Sequence, residues 1–317
     1  MTISWYDDHI ALSDPDMADK EETWEKFSTL KRINPQQKLL MGVRSPLLRD
    51  IALKQDQRQS LAEKLLPYME KLKLDGVELL WSGSDSDESF YLLLEELKSS
   101  FRAAGHPTWE VIVLIDVDRQ AIDHVRLCRV VDFAHIMGAS ERVPQYGSKS
   151  SVQASASALF DIDDRKNLTL ERALQYWKDN GCPADKMVLG VVFVAQVYTM
   201  NSLQERKYHK DYFSLCSLTC DRLFCSYIEM CQKLKKSQWT IGWDDAEGLA
   251  PHAIQGKWWV AYEDENSVGR KGAIARRHGL AGVYAFPLDL DDYRGKCGTL
   301  YPLTKSLRNS FKNDAAN

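Results

Sequence analysis

From residue 38 onward, short apolar runs alternate with stretches in which apolar residues recur every three or four positions. Leu61, Leu65, Met69 and Leu72 illustrate the second pattern, because they fall on one face of a helix. Such alternation is typical of a parallel sheet or barrel. The predicted strands are 38–43, 76–81, 110–116, 133–137, 187–199 and 282–286. These six strand–helix units are two fewer than a closed α/β barrel needs.

The composition fits a large folded domain. Of the 317 residues, 44% are apolar, and the formal net charge is −4. No block of like charge stands out, so we do not expect nucleic acid as a partner. The longest apolar stretch, 188–198, contains a glycine and a glutamine and is shorter than the roughly 20 residues of a membrane helix. We therefore expect no membrane partner.

Residues 201–267 interrupt the alternation with short runs, clustered cysteines and adjacent tryptophans. We interpret this segment as an inserted domain and assign 1–200 and 268–317 to the barrel. The seven cysteines include no repeated CxxC pair, and the histidines lack metal-ligand spacing. No metal and no cofactor are therefore expected.

The stretch 74–82, LDGVELLWS, is the most informative motif. It resembles the fourth-strand signature DGxDxDxE of the family 18 glycoside hydrolases, which include the chitinases and chitinase-like lectins. Segments 186–200 and 279–293 resemble the family's seventh and eighth strands, and 256–264 resembles its insertion. The resemblance covers most of residues 20–312. It implies a TIM barrel, (β/α)8, with a small α/β insertion domain between the seventh and eighth strands.

In that family, the last glutamate of the motif protonates the glycosidic oxygen, and the substrate's own acetamido group acts as the nucleophile. The preceding aspartate and a tyrosine after the sixth strand bind that group. This chain keeps Asp75 but has Glu78, Leu80 and Ser82 at the three acidic positions, and Ala139 in place of the tyrosine. A serine hydroxyl cannot serve as the general acid near neutral pH. We therefore predict a pseudoenzyme of the chitinase family.

The resemblance also identifies candidate ligand contacts. Phe286 stands where the family has the tryptophan that stacks on the central sugar, and it still offers an aromatic face. We assign Trp81, Glu78 and Met137 to the same ligand site. Arg44 places a bulky cation in the third-strand motif, where the family leaves room for the sugar.

Several residues have two interpretations. A structural role is favoured for Asp75 over contact with a sugar. Glu78 is open between a structural ion pair and a ligand contact, because a carboxylate on a barrel strand needs a partner. One of Trp258 and Trp259 is expected in the core of the insertion rather than in a sugar platform. The run 289–293, DLDDY, is interpreted as a structural turn and not as a metal site.

The resemblance further implies secretion, N-glycosylation at Asn167 and a disulfide between Cys231 and Cys297. The pairing of the remaining cysteines stays open: Cys128, Cys182, Cys216, Cys220 and Cys225. Residues 2–16 resemble the loop after the family's second strand. The first two barrel strands are therefore expected to be absent, either because the sequence is incomplete at its start or because the barrel is shortened.

The expected function is non-catalytic binding, by a monomer, of chitin or a chitin-like oligosaccharide containing N-acetylglucosamine, or of a protein receptor. One alternative is a weak chitinase that uses another acid. A second is a secreted growth-factor-like signalling protein that has lost sugar binding.

Overall fold

The computed structural model describes residues 2–6, 9–12, 26–45, 47–81, 88–116, 121–137, 170–199, 224–236, 238–243, 251–256 and 258–313. The chain divides into two compact units. The first contains the residues up to 115 together with 119–135 and 180–186. The second contains 116–118, 136–179 and the residues from 187 onward.

The first unit is built on a mainly parallel sheet. Its strands are β1 (Thr2–Tyr6), β2 (His9–Leu12), β3 (Leu40–Arg44), β4 (Gly76–Leu80), β5 (Glu110–Asp116) and the first part of β6 (Phe133–Met137). Their order is β2-β1-β3-β4-β5-β6, and β2 runs antiparallel to β1. Its helices are α1 (Leu30–Ile33), α2 (Leu48–Leu53), α3 (Gln55–Lys71), α4 (Glu88–Ala103) and α5 (His124–Val130).

Strand β1 corrects the prediction for the start of the chain. We expected residues 2–16 to form a loop, but Thr2–Tyr6 pairs in parallel with β3, with Thr2 opposite Gly42 and Ser4 opposite Arg44. Five of the six strands predicted from the apolar pattern are present as single strands, the sixth (187–199) is divided between two sheets, and β1 is a further parallel strand. The described residues therefore contain one of the two barrel strands that the sequence analysis expected to be absent.

The core of the first unit follows from the alternation of side chains along its strands. In β4, Val77 and Leu79 are fully buried, whereas Glu78 points to the opposite face. Helix α3 buries Leu61 and Leu65 at the predicted spacing. Apolar strand and helix faces thus meet, and burial contributes roughly 1.5–3 kcal/mol for each large side chain.

The second unit contains α6 (Leu170–Asp179), β7 (Met187–Val192) and β13 (Gly282–Phe286), as well as 136–137 of β6. β7 lies between β6 and β13, and it pairs in parallel with β13. The predicted single strand 187–199 divides at Phe193, because its second half joins another sheet. The chain then continues through α8 (Glu265–Arg277) and, after β13, through α9 (Pro302–Lys312).

That other sheet is antiparallel, with the strand order β10-β11-β12-β8-β9. Its members are β8 (Val194–Thr199), β9 (Phe224–Ser226), β10 (Thr240–Trp243), β11 (Pro251–Gln255) and β12 (Trp258–Ala261), and helix α7 (Tyr227–Lys236) follows β9. Ala195, Met230 and Tyr262 belong to its buried core, and Trp258 packs against this core. This contact favours a structural role for Trp258.

Two disulfides cross-link the chain. Cys231 and Cys297 are joined in the second unit, as the family resemblance implied. Cys128 and Cys182, whose pairing the sequence left open, are joined in the first unit with a Cα–Cα distance of 5.4 Å. Cys216 and Cys220 lie outside the described residues, and Cys225 belongs to β9. In the described part of the chain, no helix is both long and apolar enough to span a membrane.

Candidate functional site

Asp75 lies at the amino-terminal end of β4 and holds neighbouring backbone in place. Its Oδ2 accepts a hydrogen bond from the Leu39 backbone N–H at 2.7 Å, and the Lys31 ammonium lies 2.7 Å from the same oxygen. Active sites of α/β barrels lie at the opposite, carboxyl ends of the strands. These contacts favour the structural interpretation of Asp75.

A second aspartate repeats this arrangement before β6. Asp132 Oδ2 accepts a hydrogen bond from the Val111 backbone N–H at 2.7 Å and contacts Lys98 Nζ at 2.5 Å. Glu110 pairs with Lys38, and this carboxylate raises the pKa of Lys38 above its usual value. The amino-terminal ends of β3 to β6 are thus joined by paired charges and by hydrogen bonds from backbone N–H groups.

Glu78 has a specific partner that the sequence analysis did not identify. Its Oε1 lies 2.6 Å from Nδ1 of His135, which comes from β6. The two side chains are 13% and 12% exposed. With the carboxylate oxygen as the acceptor, the Nδ1–H of His135 donates this hydrogen bond. A carboxylate–imidazole pair of this kind fixes the orientation of the histidine ring.

Leu80, Ser82 and Ala139 stand where the family has its aspartate, its catalytic glutamate and its tyrosine, and the structure describes the first of these positions. Leu80 ends β4 and is half-buried. Ser82, Ala139 and the predicted glycosylation site Asn167 lie outside the described residues. Leu80 brings no charge to the carboxyl end of β4, where the family has an aspartate.

Trp81 packs in the core. Its side chain is 5% exposed, and its ring stacks on Phe90 of α4 with the centroids 4.6 Å apart. The burial of Trp81 and its contact with α4 favour a structural role over contact with a ligand.

Phe286 and Tyr284 form a pair of aromatic rings on one face of β13. The ring centroids are 6.1 Å apart, and the planes are inclined by only 19°. Both residues are half-buried. Two nearly parallel rings at this spacing offer an extended apolar face, and this is the surface on which sugar rings commonly stack. Tyr284 was not predicted as a site residue, although its i, i+2 spacing from Phe286 places both on the same side of a strand.

Met137 is the last residue of β6 and lies beside Gly190 of β7, the strand that pairs with β13. Its sulfur is 2.5 Å from the position that a Cβ on Gly190 would occupy, so a larger residue at 190 would require the Met137 side chain to move. Gly190 is the register partner of Tyr284. Met137 is 1% exposed. Its side chain therefore packs in the core and presents little surface to a ligand.

Two polar residues lie at the carboxyl ends of parallel strands. Arg44 ends β3 and is exposed, and Asp116 ends β5 and is half-buried. Asp116 is an acid at the carboxyl end of a strand that the sequence analysis did not consider. The signal was present, because a carboxylate directly after a buried apolar run is typical of active-site positions in α/β barrels.

The acidic run after β13 has structural contacts. Asp291 is fully buried and accepts hydrogen bonds from the Thr304 backbone N–H and hydroxyl at 2.9 and 2.8 Å. Asp292 accepts from the backbone N–H groups of Lys296 and Cys297. These contacts favour a structural turn. Among the described residues, no three potential metal ligands cluster together.

Parallel strands alternate with helices along the chain, and a small antiparallel sheet is inserted in the sequence between β7 and β13. This combination defines an α/β-barrel protein of the chitinase type. Comparison with known proteins agrees with this class. The model of the family "Glycosyl hydrolases family 18" matches residues 4–291. The chain therefore belongs to glycosyl hydrolase family 18.

Among curated relatives, the chain is 26% identical to the endochitinase of Manduca sexta over 94% of its own length. It spans 58% of the length of that relative. Among solved structures, it resembles the group IV chitinase of Ostrinia furnacalis with a TM-score of 0.84 and 22% identity, covering 98% of this chain and 90% of that one. Human YKL-39, described as a pseudo-chitinase with retained chitooligosaccharide binding, gives a TM-score of 0.79 and 22% identity, with coverage of 98% and 90%. At this identity, the structural likeness shows the fold.

Proposed function

We propose that this protein is a non-catalytic member of family 18 that binds N-acetylglucosamine-containing oligosaccharides. The observation that carries the proposal is the coexistence of an aromatic face with degenerate catalytic positions. Tyr284 and Phe286 supply two nearly parallel rings on β13, while Leu80 and Ser82 replace two acids of the family motif.

A pyranose ring needs a flat apolar partner, and the half-buried rings of β13 provide one. YKL-39 is described as a pseudo-chitinase that retains chitooligosaccharide binding. By analogy with that protein, loss of hydrolysis in this chain is compatible with a working sugar site.

Hydrolysis needs an acid with a pKa near the working pH beside the glycosidic oxygen. Ser82 cannot donate a proton in this range. Of the two acids that the motif keeps, Glu78 is paired with His135, and Asp75 lies at the amino-terminal end of β4, where it contacts Leu39 and Lys31. Among the described parallel strands, only β5 ends in an acid, Asp116. This residue favours the alternative of a weak chitinase.

Secretion is part of the proposal. Two disulfides are typical of proteins from oxidising compartments. The Asn167 sequon would then be available for glycosylation. A protein receptor and the signalling alternative have no supporting contact among the described residues.

The test combines calorimetric titration with chitin oligomers of two to six sugars and a fluorogenic chitobioside assay. Binding that strengthens with oligomer length, without turnover, is the expected result. Turnover that Asp116→Asn abolishes would establish the weak chitinase instead. Absence of both binding and turnover would exclude the proposal and leave the receptor-binding alternatives.

A further inference from the structure

The second unit carries a cluster of exposed cations at the end of α7 and in the turn after β13. We call Lys235, Lys236, Arg294 and Lys296 the basic surface, because all four are exposed. Chain-wide, acids outnumber bases, and the formal net charge is −4. The positive charge of this surface is therefore local and does not reflect the composition of the protein.

Covalent and hydrogen-bond contacts hold the two segments together. The disulfide joins Cys231 of α7 to Cys297 of the turn, with a Cα–Cα distance of 6.1 Å. Lys235 Nζ also donates a hydrogen bond to the Cys297 carbonyl at 2.8 Å. Lys236 follows Lys235, and Lys296 precedes Cys297, so cations from both segments lie on adjoining backbone.

The carboxylates of the two segments are engaged with the backbone. Asp291 and Asp292 are both fully buried, and they accept hydrogen bonds from backbone N–H groups. In α7, Glu229 accepts from the Ser226 backbone N–H at 2.7 Å. Within the described ranges, no ion pair joins Lys236 or Lys296 to a carboxylate.

The basic surface also includes an aromatic side chain. The Arg294 guanidinium lies over the ring of Tyr293, 5.0 Å from its centroid, and Tyr293 is 40% exposed. Stacking on the ring orders this guanidinium without using its N–H donors. The donors remain available to anionic oxygens, to which arginine binds in a bidentate manner.

We propose that the basic surface binds a linear sulfated polysaccharide. Sulfate groups repeated along a chain match several cations spread over two adjoining segments. The disulfide argues against nucleic acid, because Cys231–Cys297 lies within the surface and persists only in oxidising compartments. Sulfated glycans are linear polyanions found in that environment. This binding is independent of the aromatic rings of β13 and of the function proposed for them.

The test measures binding of a heparin dodecasaccharide by calorimetry at about 0.1 M NaCl, near the physiological ionic strength at which surface charges are partly screened. The test variant is Lys236→Glu with Lys296→Glu. The matched control is Arg32→Glu with Lys54→Glu, two exposed cations of the first unit. Each pair replaces two cations by two anions, so both change the formal net charge from −4 to −8.

We expect the test variant to bind at least about tenfold more weakly, because four units of charge change at the contact. The control should stay within about twofold of the unmodified protein. Equal weakening in both variants would reduce the effect to net charge and overturn the proposal, as would absence of heparin binding in the unmodified protein. A DNA duplex that competes as well as heparin would overturn the assignment to a polysaccharide. Phe286→Ala should leave heparin binding unchanged, so failure here is distinguishable from failure of the proposed function.

Discussion

Glu78 Oε1 lies 2.6 Å from His135 Nδ1, and both side chains are close to seven-eighths buried. His135→Leu leaves a carboxylate in the interior without this partner, and we expect it to lower the free energy of unfolding by about 1–3 kcal/mol. Urea unfolding measures the effect. Replacing both residues by leucine should cost less than the sum of the single changes, because a buried pair can be replaced by apolar groups at low cost. Additive losses would show that the pair is not coupled.

Hydrolysis of chitin oligomers should be undetectable. Leu80, Ser82 and Ala139 remove the stabilising aspartate, the acid and the tyrosine of the family, and loss of the acid alone costs on the order of 10²- to 10⁴-fold. Ser82→Glu should not restore activity, because the acetamido group would still lack its aspartate. The assay is release of fluorophore from a chitobioside, and rescue by Ser82→Glu alone would contradict this account.

Chitooligosaccharide affinity should depend on the rings of β13. Phe286→Ala should weaken binding by roughly 1–3 kcal/mol, by analogy with the stacking of a nucleic-acid base on an aromatic side chain. Phe286→Trp, which enlarges the face, should retain or improve affinity. Trp81→Phe is the control, because Trp81 packs against α4 and should affect stability rather than binding. Calorimetry with chitohexaose decides, and an unchanged affinity in Phe286→Ala would move the site away from β13.

The disulfide Cys128–Cys182 should stabilise the first unit. It joins residues 54 apart in sequence, and closing a loop of that length contributes about 2–4 kcal/mol. Replacing both cysteines by alanine should lower the free energy of unfolding by that amount, as measured in urea without reductant. Peptide mapping under non-reducing conditions checks the pairing, and free thiols at both positions would contradict it.

Acid should destabilise the protein through His124. Burial lowers the pKa of His124 below its usual value, against smaller opposing effects of the Ile122 backbone and Asp123. Near this pKa the folded state therefore binds fewer protons than the unfolded chain. The contribution of neutral His124 to stability is fully present above about pH 6.5, and it is lost as the pH falls toward the pKa of His124 in the folded state. His124→Gln should flatten the dependence of stability on pH between about 7.5 and 5.5. His106→Gln, at a partly exposed position, is the control, and an equal flattening there would reject the assignment to His124.

The sequence was a good guide to local structure. The apolar period of β4, α3 and β13 depends only on which side chains face the core, so each element could be located without knowing its neighbours. The loss of acids at Leu80 and Ser82 could also be predicted, because a motif on one strand is contiguous in sequence. The family resemblance supplied the Cys231–Cys297 pairing in the same way.

Tertiary structure decided what depends on residues far apart in the chain. Glu78 and His135 are 57 positions apart, and only the order of strands in the sheet brings them together. The same reason applies to Cys128 and Cys182, and to Phe193, where the backbone leaves one sheet for another. Strand β1 formed where a loop was predicted, because pairing with β3 satisfies its backbone N–H and C=O groups. The period of apolar residues indicates which face of a helix or strand is buried. Which residues then contact each other across the sheet depends on the order of the strands, and this order brings together segments that are far apart in sequence.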